Sequence, residues 1–279
     1  MAAFVTTPFN KTRLKAIETF NATLKECFGN EFITEKMFCD LWMDRLTKDS
    51  YVIADGWYDP PPRGTAVLSA TANDCSRISF STLRTPEYWP SDRLIRWNDG
   101  LLYVYCSPVS KLDGVPGDFA VTLYFGRNLG IRQHFLTAHR AVRKLLESIE
   151  PEQTSITIFT NSQAIFEQYR LQNTVISISD TTPLDLGHTF PRVNPPKLSD
   201  HLTEDQRNSI RRGRLFLNGN SEWHIAEDLQ FTIEPQLRCV NHSELPQVTF
   251  HYLARKNNGS IELQDDVEKL LGAYDLLSS

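Results

Sequence analysis

The chain has 279 residues, 41% of them hydrophobic, and its 29 basic against 34 acidic residues leave a net charge of -5. That is enough for one large or two small domains with a proper core, and the absence of any Lys/Arg-rich block argues against nucleic acid as a partner. Cys27, Cys39, Cys75, Cys106 and Cys239 are odd in number and form no C-x-x-C pair, so they are expected to be buried free thiols. The N-terminal "MAAFVTTPFNKTRLK" has no apolar run after its basic residues, and no stretch approaches eighteen apolar residues. The expectation is a soluble cytoplasmic protein without membrane contact.

Asn10 can cap a helix on Leu14, Ile17, Phe20, Leu24 and Phe28, and Met37, Phe38, Leu41, Trp42 and Leu46 give a second helical stripe. Between about 50 and 100 the chain is rich in loop signals, as in "DGWYDPPPRGTAV" and "RTPEYWPSDR", and this region carries three of the five tryptophans. Strand-like runs follow at "LLYVYC" (101–106) and "FAVTLYF" (119–125), then a long helix on Phe135, Ala138, Val142, Leu145 and Ile149. "SITIFT" is predicted as a strand, "SQAIFEQYRL" as a helix, and "DLGHTFPR" as part of a loop. Thr203 and Gln206 have capping-box spacing for one more helix. Strands at 229–233 and 247–254 precede a last helix on Val267, Leu270, Leu271 and Tyr274. The pattern is α+β, with helices and short strands intermixed.

One acid stands out in "FTIEPQL" (231–237), where Glu234 lies among β-branched and aromatic residues with Pro235 behind it. A half-buried strand tolerates Glu on its wet face, so the residue alone decides nothing. Three segments in order add weight to it: "SPVSKLDGVPGDFAVTLYFG" (107–126), "DLGHTFPRV" (185–193), and "FTIEPQL" followed by "VTFHYLARKNNG" (248–259). Together they resemble the signature segments of the methionine aminopeptidase, prolidase and creatinase family. The resemblance implies the pita-bread fold over a single domain, 1–279, with two pseudo-symmetric helix-helix-strand halves around an antiparallel sheet.

The same resemblance implies metal ligands at Asp118, His188 and Glu234. The family's first Asp falls on Ser107 and its last Glu, nine residues before Gly259, on Phe250, and neither replaces a carboxylate. What remains suits one divalent ion, Fe(II) or Mn(II) ahead of Co or Zn, with positions open for water or substrate. His251 is the candidate fourth ligand. Against it, neighbouring strand residues face opposite sides, so His251 points away if Phe250 faces the site, unless a bulge intervenes.

The histidines that the family's peptidases use near their substrate have no counterpart. Arg63 stands in the early loop where one is expected, and "TFPRVNPPK" follows His188. This shifts the expectation from peptide cleavage toward other chemistry on an amino-acid-like or short-peptide small molecule, including iron and O₂ oxidation, with a metallo-aminopeptidase or prolidase-like hydrolase and a metal-free binding protein as alternatives. Candidate substrate contacts are Trp57, Tyr58 and Arg63 in the proline-stiffened loop, Arg192 past His188, and Tyr105 and Ser107 beside the missing Asp. His134 and His139, five apart on a helix, are set aside as surface or capping residues.

Overall fold

A computed structural model describes residues 2–59, 61–89, 91–176, 184–191 and 199–274. The chain divides into two compact units, one formed by Met1–Pro8, Leu129–Phe190 and Arg214–Ser279, the other by Phe9–Asn128 and Pro191–Gly213. Among the described residues there are seven α-helices: α1 Lys11–Cys27, α2 Glu35–Thr47, α3 Phe80–Leu83, α4 Leu129–Glu147, α5 Ser155–Gln168, α6 Glu204–Gly213 and α7 Asp266–Ala273.

In the unit containing residues 9–128, α1 and α2 pack together beside a three-stranded antiparallel sheet ordered Thr65–Thr71, Gly100–Cys106, Phe119–Tyr124. Both helices start where the sequence places their caps: Asn10 accepts from the Arg13 N–H at 2.9 Å and Thr34 from the Met37 N–H at 3.1 Å. Phe20 is the hub of the core, its ring 5.1 to 5.9 Å from those of Trp42, Phe119 and Phe38. The loop-rich reading of 50–100 missed the strand Thr65–Thr71, which pairs along its whole length with Gly100–Cys106. It is nearly all buried, so it lacks the polar alternation that betrays a one-sided strand.

The other unit repeats the plan. Helices α4 and α5 pack together, and a four-stranded sheet runs in the order Ala3–Val5, Ser260–Gln264, Tyr252–Asn257, Gln230–Ile233, antiparallel except for its first pair. "SITIFT" is helical rather than a strand. Thr154 caps the Thr157 N–H at 3.3 Å, and Ile158, Ser162, Ile165 and Phe166 form a buried stripe. The β-branched residues cost that helix only a few tenths of a kcal/mol each, which burial of the stripe outweighs. The predicted strand 247–254 is two, Val248–Thr249 and Tyr252–Asn257. A hairpin missed in the sequence returns from Asn257 to Ser260 through Asn258 (φ 50°) and Gly259 (φ 70°), the positive angles of a type I′ turn that Asn-Gly favours.

All five cysteines are free, but only Cys27, Cys39 and Cys106 are buried; Cys75 and Cys239 are half-buried. Among the described residues no helix is long and apolar enough to cross a membrane.

Candidate functional site

His188 is placed by the two residues that give the Gly-His and T-x-E-P segments their form. The Thr232 hydroxyl accepts from the His188 N–H at 3.0 Å, while the Thr232 carbonyl lies so close to Gly187 that an added Cβ would come within 2.1 Å of it. Only glycine fits there. The His188 Nδ1 is 3.0 Å from the Thr189 carbonyl. A carbonyl only accepts, so Nδ1 carries a proton, and Nε2 is the ring nitrogen left to face Glu234.

That Nε2 lies 3.5 Å from Glu234 Oε1, and His251 Nδ1 lies 3.4 Å from Glu234 Oε2. All three residues are buried, His251 completely. The objection to His251 fails on register. Gln236 pairs with Thr249 and Ile233 with Tyr252, so the two residues between them on each strand oppose Glu234 to His251 and Pro235 to Phe250. Directly opposed residues of an antiparallel pair share a face, which turns His251 toward Glu234 with no bulge. Pro235, lacking an N–H, interrupts the ladder without shifting it. Phe250 points the other way, its ring centroid 5.4 Å from that of His139 and 6.3 Å from that of Phe135.

The remaining candidates lie in the other unit. Asp118 is buried, and its Oδ1 accepts from the Trp57 indole N–H at 2.6 Å, while its backbone carbonyl accepts from the buried Arg13 guanidinium at 2.5 Å. Trp57, Tyr58 and Tyr105 form a chain of edge-on rings, 5.3 and 5.8 Å apart. The Ser107 hydroxyl accepts from the Tyr58 N–H and donates to the Gly64 carbonyl, both at 3.2 Å. Gly56 and Gly64 close in on that hydroxyl, where a Cβ on either would come within 2.4 Å. Arg63 is exposed, in a left-handed conformation (φ 61°). Arg192 lies outside the described residues.

His134 and His139 are not the surface residues expected. His134 is buried with Nε2 2.9 Å from the Pro246 carbonyl, and burial lowers its pKa. His139 joins Tyr252, Arg143 and Glu268. Burial alone would raise the Glu268 carboxyl, but hydrogen bonds from His139 and Tyr252 and the charges of His139 and Arg143 outweigh it, bringing the pKa to about 2.

Among the described residues no three or more His, Cys, Asp and Glu side chains form a group that could hold a metal ion. Each imidazole faces a different oxygen of Glu234, so any fit is pairwise. Two donors at ~2.1 Å on one tetrahedral ion stand about 3.4 Å apart, close to the observed His188–Glu234 spacing. A ring nitrogen and a carboxylate oxygen facing each other suit a cation between them, whether a proton or a metal ion.

Neither a protein-family model nor a curated protein matches the chain by sequence. Its structure is similar to those of X-Pro aminopeptidase from Thermotoga maritima (TM-score 0.60, 11% identity, 91% of this chain against 58% of that one) and prolidase from Pyrococcus furiosus (0.60, 14%, 91% against 61%). It is also similar to methionine aminopeptidase from Rickettsia prowazekii (0.59, 16%, 94% against 99%). The chain therefore spans about three fifths of the length of those prolidase-type proteins and nearly all of the methionine aminopeptidase. The repeated helix-helix-sheet plan, the Gly187–His188 and Thr232–Glu234 geometry and these likenesses together show that the chain has the pita-bread fold of the aminopeptidases and prolidases.

Proposed function

We propose that this chain is an enzyme acting on an amino-acid-like or short-peptide small molecule with the help of one divalent ion, Fe(II) or Mn(II) ahead of Co or Zn. The observation that carries the reading is His188 Nε2 facing Glu234 Oε1 across 3.5 Å, a spacing that two donors on one ion would take. When bound, such an ion would polarise a substrate carbonyl or lower the pKa of a water, and iron would add oxidative chemistry.

The chain's own residues prepare that position. The Thr189 carbonyl fixes the tautomer of His188, and Phe190 and Phe216, with ring centroids 5.7 and 6.3 Å away, restrict water around its ring. His251 gives Glu234 a second imidazole on its other oxygen. Chemistry other than peptide cleavage is favoured because none of the residues after His188 in "TFPRVNPPK" is a histidine, leaving the chain short of a proton donor for a leaving amine. A peptidase-like reading is supported by the fold shared with X-Pro aminopeptidase and prolidase.

Elemental analysis of protein purified without chelator separates the enzyme from the ion-free reading: up to one ion per chain is expected, and none after metal supplementation would sink the proposal. Anaerobic loading with Fe(II), then O₂ with amino acids and short peptides, is expected to give more turnover than the Mn(II) or Co(II) form gives on aminopeptidase substrates. Rapid release of N-terminal residues by the Mn(II) or Co(II) form would return the chain to the peptidases.

A further inference from the structure

Phe250 and Tyr252 flank His251, and strand alternation sends both to the opposite face. There a single side chain touches both. The His139 ring meets the Phe250 ring edge-on, centroids 5.4 Å apart at 80°, and its Nε2 lies 3.1 Å from the Tyr252 hydroxyl. The same Nε2 is 3.1 Å from Glu268 Oε1, which also accepts from Tyr252 at 2.7 Å and from Arg143 at 3.2 Å. A carboxylate only accepts, so Glu268 fixes the proton of His139 on Nε2, with the nearby Arg143 offsetting its charge.

We infer that His139 is a positioning residue for the His188–Glu234–His251 site. By gripping Phe250 through its ring and Tyr252 through Glu268, it holds the two neighbours of His251 on the helix side and so turns the His251 imidazole toward Glu234. The functional consequence rests on the metal-dependent reading above. The positional consequence does not.

Two readouts on the full chain keep these apart. In protein labelled with ¹⁵N-histidine at one fixed pH, His139→Phe, which keeps a ring but loses Nε2, is expected to move the His251 ring resonances, whereas His139→Gln, which restores a donor toward Glu268, returns them part of the way. In titrations with Zn(II) alone, His139→Phe is expected to bind 10- to 100-fold more weakly than the parent chain. Unchanged His251 resonances and unchanged Zn(II) affinity, with only a lower Tm, would reduce His139 to a structural contact and overturn the inference. If the parent chain binds no Zn(II), the metal-dependent reading fails while the resonances still decide the positioning role. Should His139→Phe not fold, Tyr252→Phe, which removes one hydroxyl, answers the same question by the same two measurements.

Discussion

Glu234 and Asp118 are both buried carboxylates on the sequence motifs, yet their neighbours differ in kind. Asp118 receives an indole N–H, a group that only donates, and the guanidinium of Arg13 holds the carbonyl of the same residue. Such surroundings stabilise an anion by themselves. Glu234 instead faces two imidazoles, one on each oxygen, with His188 held by the Thr189 carbonyl so that Nε2 is turned toward it. That arrangement suits a cation shared between ring nitrogen and carboxylate. One acid is served by hydrogen-bond donors, the other by two imidazoles, and a motif alignment that treats both as equivalent ligands misses the difference.

Removing the charge at each position tests this most sharply. Glu234→Gln is expected to weaken metal uptake more than 100-fold, about 3 kcal/mol, while leaving thermal stability within about 0.5 kcal/mol, read by elemental analysis and calorimetry. An equal loss of stability there would break the contrast. A third carboxylate offers an internal standard. Because the pKa of Glu268 is depressed from 4.5 to about 2, its stabilisation is complete above pH 4.5 and is lost as pH falls toward 2. Glu268 should contribute about 2–3 kcal/mol to the stability lost across that window in urea unfolding, and Glu268→Gln should reduce the slope by that share.

Trp57→Phe leaves the buried Asp118 carboxylate one donor short and is expected to cost about 2 kcal/mol in urea unfolding, with Asp118→Asn costing less because an amide oxygen still accepts from the indole. If Trp57→Phe were neutral, the account of Asp118 as a satisfied anion would fall. The smallest effect is expected at Gly259→Ala, about 1 kcal/mol by the same measurement. Its φ of 70° strains an L residue, although open space surrounds the new methyl.

The helix stripes and caps were legible because caps and periodicity are local: Asn10, Thr34 and the reciprocal Thr203–Gln206 box all form as spaced. So were the three motif segments, whose glycine and threonine have direct steric and hydrogen-bonding reasons. Thr65–Thr71 was not legible, since a strand buried on both faces shows no alternation. "SITIFT" misled because β-branched residues speak for strands until a cap and a buried stripe decide otherwise. The facing of His251 and the surroundings of His139 were not legible for a related reason. Facing direction depends on the partner strand, and only the pairing of 230–237 with 248–255 reveals it; the Asn-Gly turn at 258–259 was the available hint that this region is a meander of hairpins.

The unbroken register across Pro235 makes the identity of the site a matter of counting. A slip of one residue between Gln230–Ile233 and Tyr252–Asn257 would exchange an imidazole for a benzyl ring opposite Glu234, with no change in composition or overall shape. An insertion or deletion between 239 and 248 could be absorbed in the loop, whereas one inside 249–252 would swap the chemistry outright. Variants of this chain should therefore be compared by pairing partner before they are compared by residue identity.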